Sequence, residues 1–202
     1  MKGSDNPLIV TSGFAHLDSD DPATEGVDPP AVSDRYPRAS EAAAEELAAQ
    51  GVRAAAMRLA PSVHGVGDHG FVPILIALAR AKGIAAYIDD GANRWPAVHR
   101  FDAARAYRLA LETGVTERRY HAAAEEGVPF RAIAEAIGAG LGVPAVSLSG
   151  RDASAHFGWF ASFAGADMPA SAERTSAVLR WQPEEPGLLE DLARGHYFAA
   201  AG

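Results

Sequence analysis

The chain has 202 residues, 48% hydrophobic and 22% charged, an ordinary composition for a globular protein with a buried core. A formal net charge of -8, a pI near 5.3 and no Lys/Arg cluster exclude nucleic acid as a partner. The absence of cysteine excludes disulfide frameworks and thiolate metal sites and fits a reducing, cytoplasmic setting.

In chain order, Met1–Pro7 is not a signal peptide, because the apolar run behind it, Leu8-Ile9-Val10, is too short for an h-region. Pro7–Thr11 reads as a short strand buried on both faces, ended by Ser12-Gly13. The Asp-, Pro- and Ser-rich stretch from Asp18 to Pro37 is a loop long enough to suggest a functional role. Pro37 opens a helix that runs to Gln50, with Gly51 as its stop. Val52–Leu59 is a second strand, and Ala60–Gly67 a turn. Phe71–Lys82 is helical with Gly83 past its end, and its apolar part stops at Arg80, short of the roughly 20 residues a membrane span needs. The protein is therefore expected to be soluble.

Ile84–Ile88 is a third strand, and Ala97-Val98-His99 a brief extended piece leading to Asp102, which reads as the N-cap of a helix ending at Thr113. Arg119–Ala123 and Val143–Leu148 read as strands around a Pro129–Leu141 helix. Helices follow near Ala153–Ala164, Ala172–Leu179 and Gly187–Gly195. This alternation implies parallel βαβ units and a doubly wound α/β fold. Residues 1–117 are expected to form a partial Rossmann-like region with interleaved substrate-side segments, and 118–202 mainly a substrate-binding α/β region.

Several segments, in order, resemble the extended short-chain dehydrogenase/reductases, the NAD-dependent epimerase/dehydratase family. Ile9-Val10-Thr11-Ser12-Gly13-Phe14-Ala15-His16 is similar to the family strand that ends in the active-site Ser or Thr. Tyr36-Pro37-Arg38-Ala39-Ser40 falls where the family has Tyr-x-x-x-Lys. Met57-Arg58-Leu59, followed by Val63-His64-Gly65-Val66-Gly67, resembles Leu-Arg-x-x-x-Val-Tyr-Gly-Pro-Gly with a spacing one residue longer. Val98–Ala104 resembles Ile-His-Val-Asp-Asp-Val-Ala, and Leu179-Arg180-Trp181-Gln182-Pro183 the closing Leu-Gly-Trp-x-Pro. The family's Gly-x-x-Gly-x-x-Gly turn has no counterpart. The chain is accordingly expected to be the family's C-terminal portion, truncated and weak or inactive alone.

The resemblance implies the C-terminal part of a Rossmann-like parallel sheet, NAD or NADP as cofactor, and a hydroxyl/carbonyl substrate of the nucleotide-sugar kind. It implies that Ser12 and Tyr36 are catalytic, that Tyr36 and Leu59, Ala60, Pro61, Ser62 and Val63 face the cofactor, and that Ser12, His64 and Arg94 contact substrate. A lysine one turn after the tyrosine would lower the phenol pKa from about 10, and Ser40 cannot.

Other readings stay open beside these. Tyr36 also reads as a packed loop aromatic, Ser12 as a strand exit, and Arg94 with Trp95 as a surface anchor. His64, Asp68 and His69 have metal-ligand character but sit in a glycine-rich turn with no evident third ligand, so no metal is expected. Trp159, Phe160 and Phe163 read as core, or as a patch covering a partner. The alternative function is a non-catalytic remnant or partner-dependent module that self-associates through the exposed edge of its first strand.

Overall fold

A computed structural model describes residues 5–199, except His16, Asp18, Asp20, Asp21 and Arg35. The expectations placed on Met1–Ser4, on His16 in the first motif and on Asp18 at the loop's start lie outside the described residues. Three parallel strands form the first sheet: β1 (Leu8–Gly13), β2 (Ala54–Leu59) and β6 (Arg119–Ala122), in the order β1-β2-β6. A second sheet joins β3 (Ser62–His64), β5 (Arg94–His99) and β7 (Glu125–Pro129), and a third pairs β4 (Ala85–Ile88) with β8 (Ala145–Leu148). The expected parallel α/β architecture is what the chain adopts; among the named strands of the described residues, the β5–β7 pairing alone is antiparallel.

Side chains alternate between the faces of a strand, and this decides what the first sheet packs against. Leu8 and Val10 of β1 and Ala54 of β2 meet helix α1 (Ser40–Ala49) through its Ala44 and Leu47. The opposite face, with Ile9, Ala55, Met57, Tyr120 and Ala122, packs into a core with α3 (Arg100–Glu112) and α7 (Glu173–Leu179). A second, larger core joins α2 (Phe71–Lys82), β4, β5, α4 (Phe130–Leu141) and α5 (Gly150–Phe157). The remaining helices are α6 (Ala161–Ala164) and α8 (Leu188–Ala193).

Several sequence expectations need correction. The N-terminal helix begins at Ser40 rather than Pro37, because Tyr36 and Ser33 exchange backbone hydrogen bonds that close a turn just before it. The expected turn at 60–67 contains β3, held by β5. Strand β7 was hidden by the charge of Glu125 and Glu126. Asp102 is not a cap: α3 starts at Arg100, and the Phe101 N–H donates to His99 Nδ1 at 3.3 Å. Asp102 is instead buried in the first turn, where its carboxylate accepts from the Glu184 and Glu185 N–H groups and from Arg105. The expected 153–164 helix breaks at Gly158, whose φ of +56° suits a residue without Cβ. That break leaves Phe160 fully buried but turns Trp159 out to 70% exposure, so Trp159 is not core.

Candidate active site

In open α/β sheets ligands bind beyond the carboxyl ends of the strands. A cleft of about 470 Å³ opens there, past the ends of β1 and β2. It lies where the two large cores meet: Phe14, Leu59, Ala60 and Val63 come from one, and Phe71, Phe163 and Met168 from the other. Of the residues singled out in the sequence, Ser12, Leu59, Ala60, Pro61 and Val63 line it. Ser62 does not; it is buried, and its Oγ has no hydrogen-bond partner among the described residues.

Ser12 sits at the rim in a buried ionic network that the sequence reading missed. Register places Ser12 of β1 opposite Arg58 of β2, and Arg58 opposite His121 of β6. The three side chains therefore stand in one row on the α1 side of the sheet. Ser12 Oγ donates to Glu41 Oε1 at 2.6 Å. The Arg58 guanidinium, with no exposed surface, grips the same carboxylate through Nε at 3.0 Å and Nη2 at 2.8 Å. Such a two-pronged grip fixes both position and orientation.

His121 completes the row as a neutral ring. Its Nδ1–H donates to the Ser171 carbonyl at 2.7 Å, which leaves Nε2 to accept from Arg58 Nη1 at 3.3 Å. Burial lowers its pKa to about 4, with the Arg58 charge adding to the shift. The long loop before α1 is tied to this row: the Val27 carbonyl accepts from Arg58 Nη2 and Arg119 Nη1, and Glu25 accepts from Thr175. One sequence signal was available, since Arg58 is the single charge in an otherwise apolar central strand, and a buried guanidinium demands a carboxylate.

The other expected site residues are placed elsewhere. Tyr36 does not line the cleft; it borders a small adjoining hollow, of about 10 Å³, with Ser12, Ser40 and Glu41. His64 is buried behind the cleft wall, its Nδ1–H donating to Asp191 Oδ2 at 2.9 Å. Arg94 is on β5 and pairs with Asp167 at 2.8 Å, a contact that holds the Asp167 carboxyl below its ordinary pKa.

The glycine-rich turn 65–70 forms one wall and is pinned from the C-terminal side. Tyr197 Oη accepts the Gly65 N–H at 2.9 Å and donates to Asp68 Oδ2 at 2.9 Å. Asp68 Oδ1 accepts the Gly70 N–H, and burial raises the Asp68 pKa. Among the described residues no group of three His, Asp or Glu side chains is arranged to hold a metal, and no helix is long and apolar enough to cross a membrane.

Comparison with solved structures defines the class. The dTDP-glucose 4,6-dehydratase DesIV of Streptomyces venezuelae, solved with NAD and TYD bound, aligns with a TM-score of 0.69 at 17% identity, over 95% of this chain and 58% of that one. ADP-L-glycero-D-manno-heptose-6-epimerase of Helicobacter pylori aligns with a TM-score of 0.69 at 16% identity, over 95% and 59%. UDP-glucuronic acid 4-epimerase of Bacillus cereus, with UDP-glucuronic acid and NAD, gives 0.66 at 14% identity, over 95% and 60%. The fold is thus that of the NAD-dependent epimerases and dehydratases, as the motif order implied.

No family model matches the chain. The uncharacterized protein C2A9.02 of Schizosaccharomyces pombe is 45% identical over 203 residues, covering 98% of this chain and 67% of that protein. The uncharacterized protein YLL056C of Saccharomyces cerevisiae is 43% identical over 200 residues, covering 98% and 66%. The chain belongs to the same family as the S. pombe protein. It spans about two thirds of these relatives and less than two thirds of each solved structure named above.

Proposed function

We propose that this chain forms the nicotinamide and substrate side of an NAD(P)-dependent, epimerase/dehydratase-like oxidoreductase acting on a hydroxyl or carbonyl group. The observation that carries the reading is Ser12. Its Oγ lies at the cleft beside the 59–63 segment, and its proton is committed to Glu41. The lone pairs of Ser12 then remain to accept a hydrogen bond from a substrate hydroxyl and hold its carbon in place. Tyr36 is the proposed proton donor or acceptor, working from the adjoining hollow it shares with Ser12 and Glu41.

The residues present fit one end of a dinucleotide. Leu59, Ala60, Pro61 and Val63 offer a mostly apolar wall for a flat ring, while the sequence has no Gly-x-x-Gly-x-x-Gly turn after a first strand for the pyrophosphate. A bound nicotinamide supplies the hydride donor or acceptor. Several neighbours were solved with sugar nucleotides, UDP-glucuronic acid among them, which makes that class the first comparator for substrate.

Titrating the purified chain with NADH and NADPH tests the reading. Amide shifts at Ser12, Leu59, Ala60 and Val63, without saturation in the micromolar range, are expected. Micromolar saturation would overturn the expectation of weak binding by this chain alone, and an absence of shifts at these residues at millimolar dinucleotide would overturn the site.

A second reading, a partner-dependent module, rests on β1: it is the edge strand of its sheet, pairing only with β2 among the described residues. It predicts self-association, and a monodisperse monomer in sizing experiments would count against it.

A further inference from the structure

Glycosyl groups are recognised through their hydroxyls, which need a matching set of side-chain donors and acceptors. The cleft offers few. Ser12 and His69 are polar, but both Asp68 oxygens are already engaged by Gly70 and Tyr197, and among the described residues no Asn, Gln, Thr, Tyr or Lys lines the walls. The side chains that do are large and apolar: Phe14, Leu59, Val63, Phe71, Phe163 and Met168. Phe71 and Phe163 meet edge-on-tilted at 5.1 Å between centroids, giving one continuous aromatic wall.

Two solvent-exposed arginines, Arg38 and Arg100, border this apolar cleft. Eight other arginines lie within ion-pair distance of a carboxylate, Arg58, Arg94, Arg105, Arg108, Arg119, Arg131, Arg174 and Arg194, whereas Arg53, Arg80, Arg118, Arg151 and Arg180 do not among the described residues and lie away from the cleft. Arg38 and Arg100 have no carboxylate partner among the described residues, in a chain whose net charge is -8. Arg100, the first residue of α3, is steadied by donating to the Val66 carbonyl and by lying 4.8 Å from the centroid of the Phe101 ring. Its remaining N–H groups are left to a ligand. An exposed guanidinium without a carboxylate partner, steadied beside an apolar wall, suits an oxyanion.

We infer that the cleft takes an amphiphilic substrate, an aryl or alkyl hydroxyl/carbonyl compound carrying one oxyanion, rather than a sugar nucleotide. The apolar body lies against Phe71, Phe163 and Met168, and the carboxylate or phosphate meets Arg100. This deepens the proposed function and rests on it for the reacting group, but binding is tested without any reaction.

The chain has three methionines, and two are informative: Met168 lines the cleft, whereas Met57 is fully buried in the sheet. Methyl NMR of methionine-labelled chain, without dinucleotide, is therefore a local readout with an internal control for folding. The probes are 4-phenylbutanoate, its neutral amide, phenyl phosphate and UDP-glucose. The expected result is a saturable shift of Met168, not Met57, with an aryl anion binding at least about tenfold tighter than the amide. Arg100→Gln brings 4-phenylbutanoate down to the level of its amide, and the ranking of the two aryl anions shows whether carboxylate or phosphate is preferred. Equal binding of acid and amide, tighter binding of UDP-glucose, or no Met168 shift with any probe overturns the inference. Failure of hydride transfer alongside tight aryl-anion binding would instead count against the oxidoreductase reading alone.

Discussion

Removing the Glu41 carboxylate leaves the Arg58 guanidinium buried at 0% exposure with two of its hydrogen bonds unmade. The bonds to the Val27 carbonyl and His121 Nε2 remain, but neither neutralises the charge. Breaking one side of a buried pair costs about 3–5 kcal/mol, most of it the stranded charge. With a urea m-value of about 2 kcal/mol/M, Glu41→Ala should lower the unfolding midpoint by about 2 M. Replacing both partners, Glu41→Leu with Arg58→Met, removes the stranded charge and should restore most of the loss. Equilibrium urea denaturation of the three proteins decides. A Glu41→Ala shift below about 0.5 M, or a double variant no more stable than the single, would refute the claim that this pair is buried and mutually dependent.

Other outcomes follow from the same geometry. His121 has its folded pKa depressed, so the unfolded chain binds more protons between about pH 4 and 6.5, and stability must rise with pH across that window. The neutral ring contributes about 3 kcal/mol above pH 6.5, of which about 2 is lost by pH 5; His121→Asn should flatten this dependence in thermal unfolding curves. Ser12→Ala should leave the urea midpoint within about 0.5 M of wild type, while hydride transfer reconstituted with dinucleotide falls at least about tenfold. Tyr36→Phe in that assay reads whether the phenol participates: a comparable fall is expected, and an unchanged rate would remove Tyr36 from the site. At Gly65, φ is +131° and an added Cβ would stand 2.7 Å from His99 Nε2, so Gly65→Ala should lower Tm by several degrees in calorimetry.

Much of this was legible because it is local. Phe71–Lys82 ends at Gly83, which adopts the left-handed cap its position suggested, with φ of +68°. The order of short motifs was enough to name the fold. What escaped the sequence depends on register and on distant pairing. Arg58, Ser12 and His121 become neighbours only once three strands are aligned, and the separations between them carry no local signal. Asp102 shows the limit of a local rule: an acid near a helix start reads as a cap, yet its partners are Glu184 and Glu185, some eighty residues on. His64 likewise took its motif position for a cleft position, whereas a three-residue strand turned its ring inward to Asp191.

The wall proposed to receive a nicotinamide ring is formed by Leu59, Ala60, Pro61 and Val63, beside Ser12. Saturation-transfer NMR on NADH at millimolar concentration tests that proposal ring by ring, since weak ligands are visible and the two ends of the dinucleotide resolve. Stronger transfer from the protein to the nicotinamide protons than to the adenine protons is expected, because the proposed ring wall is in this chain and the sequence has no Gly-x-x-Gly-x-x-Gly turn. Transfer that favours adenine, or that is equal at both ends, would contradict it.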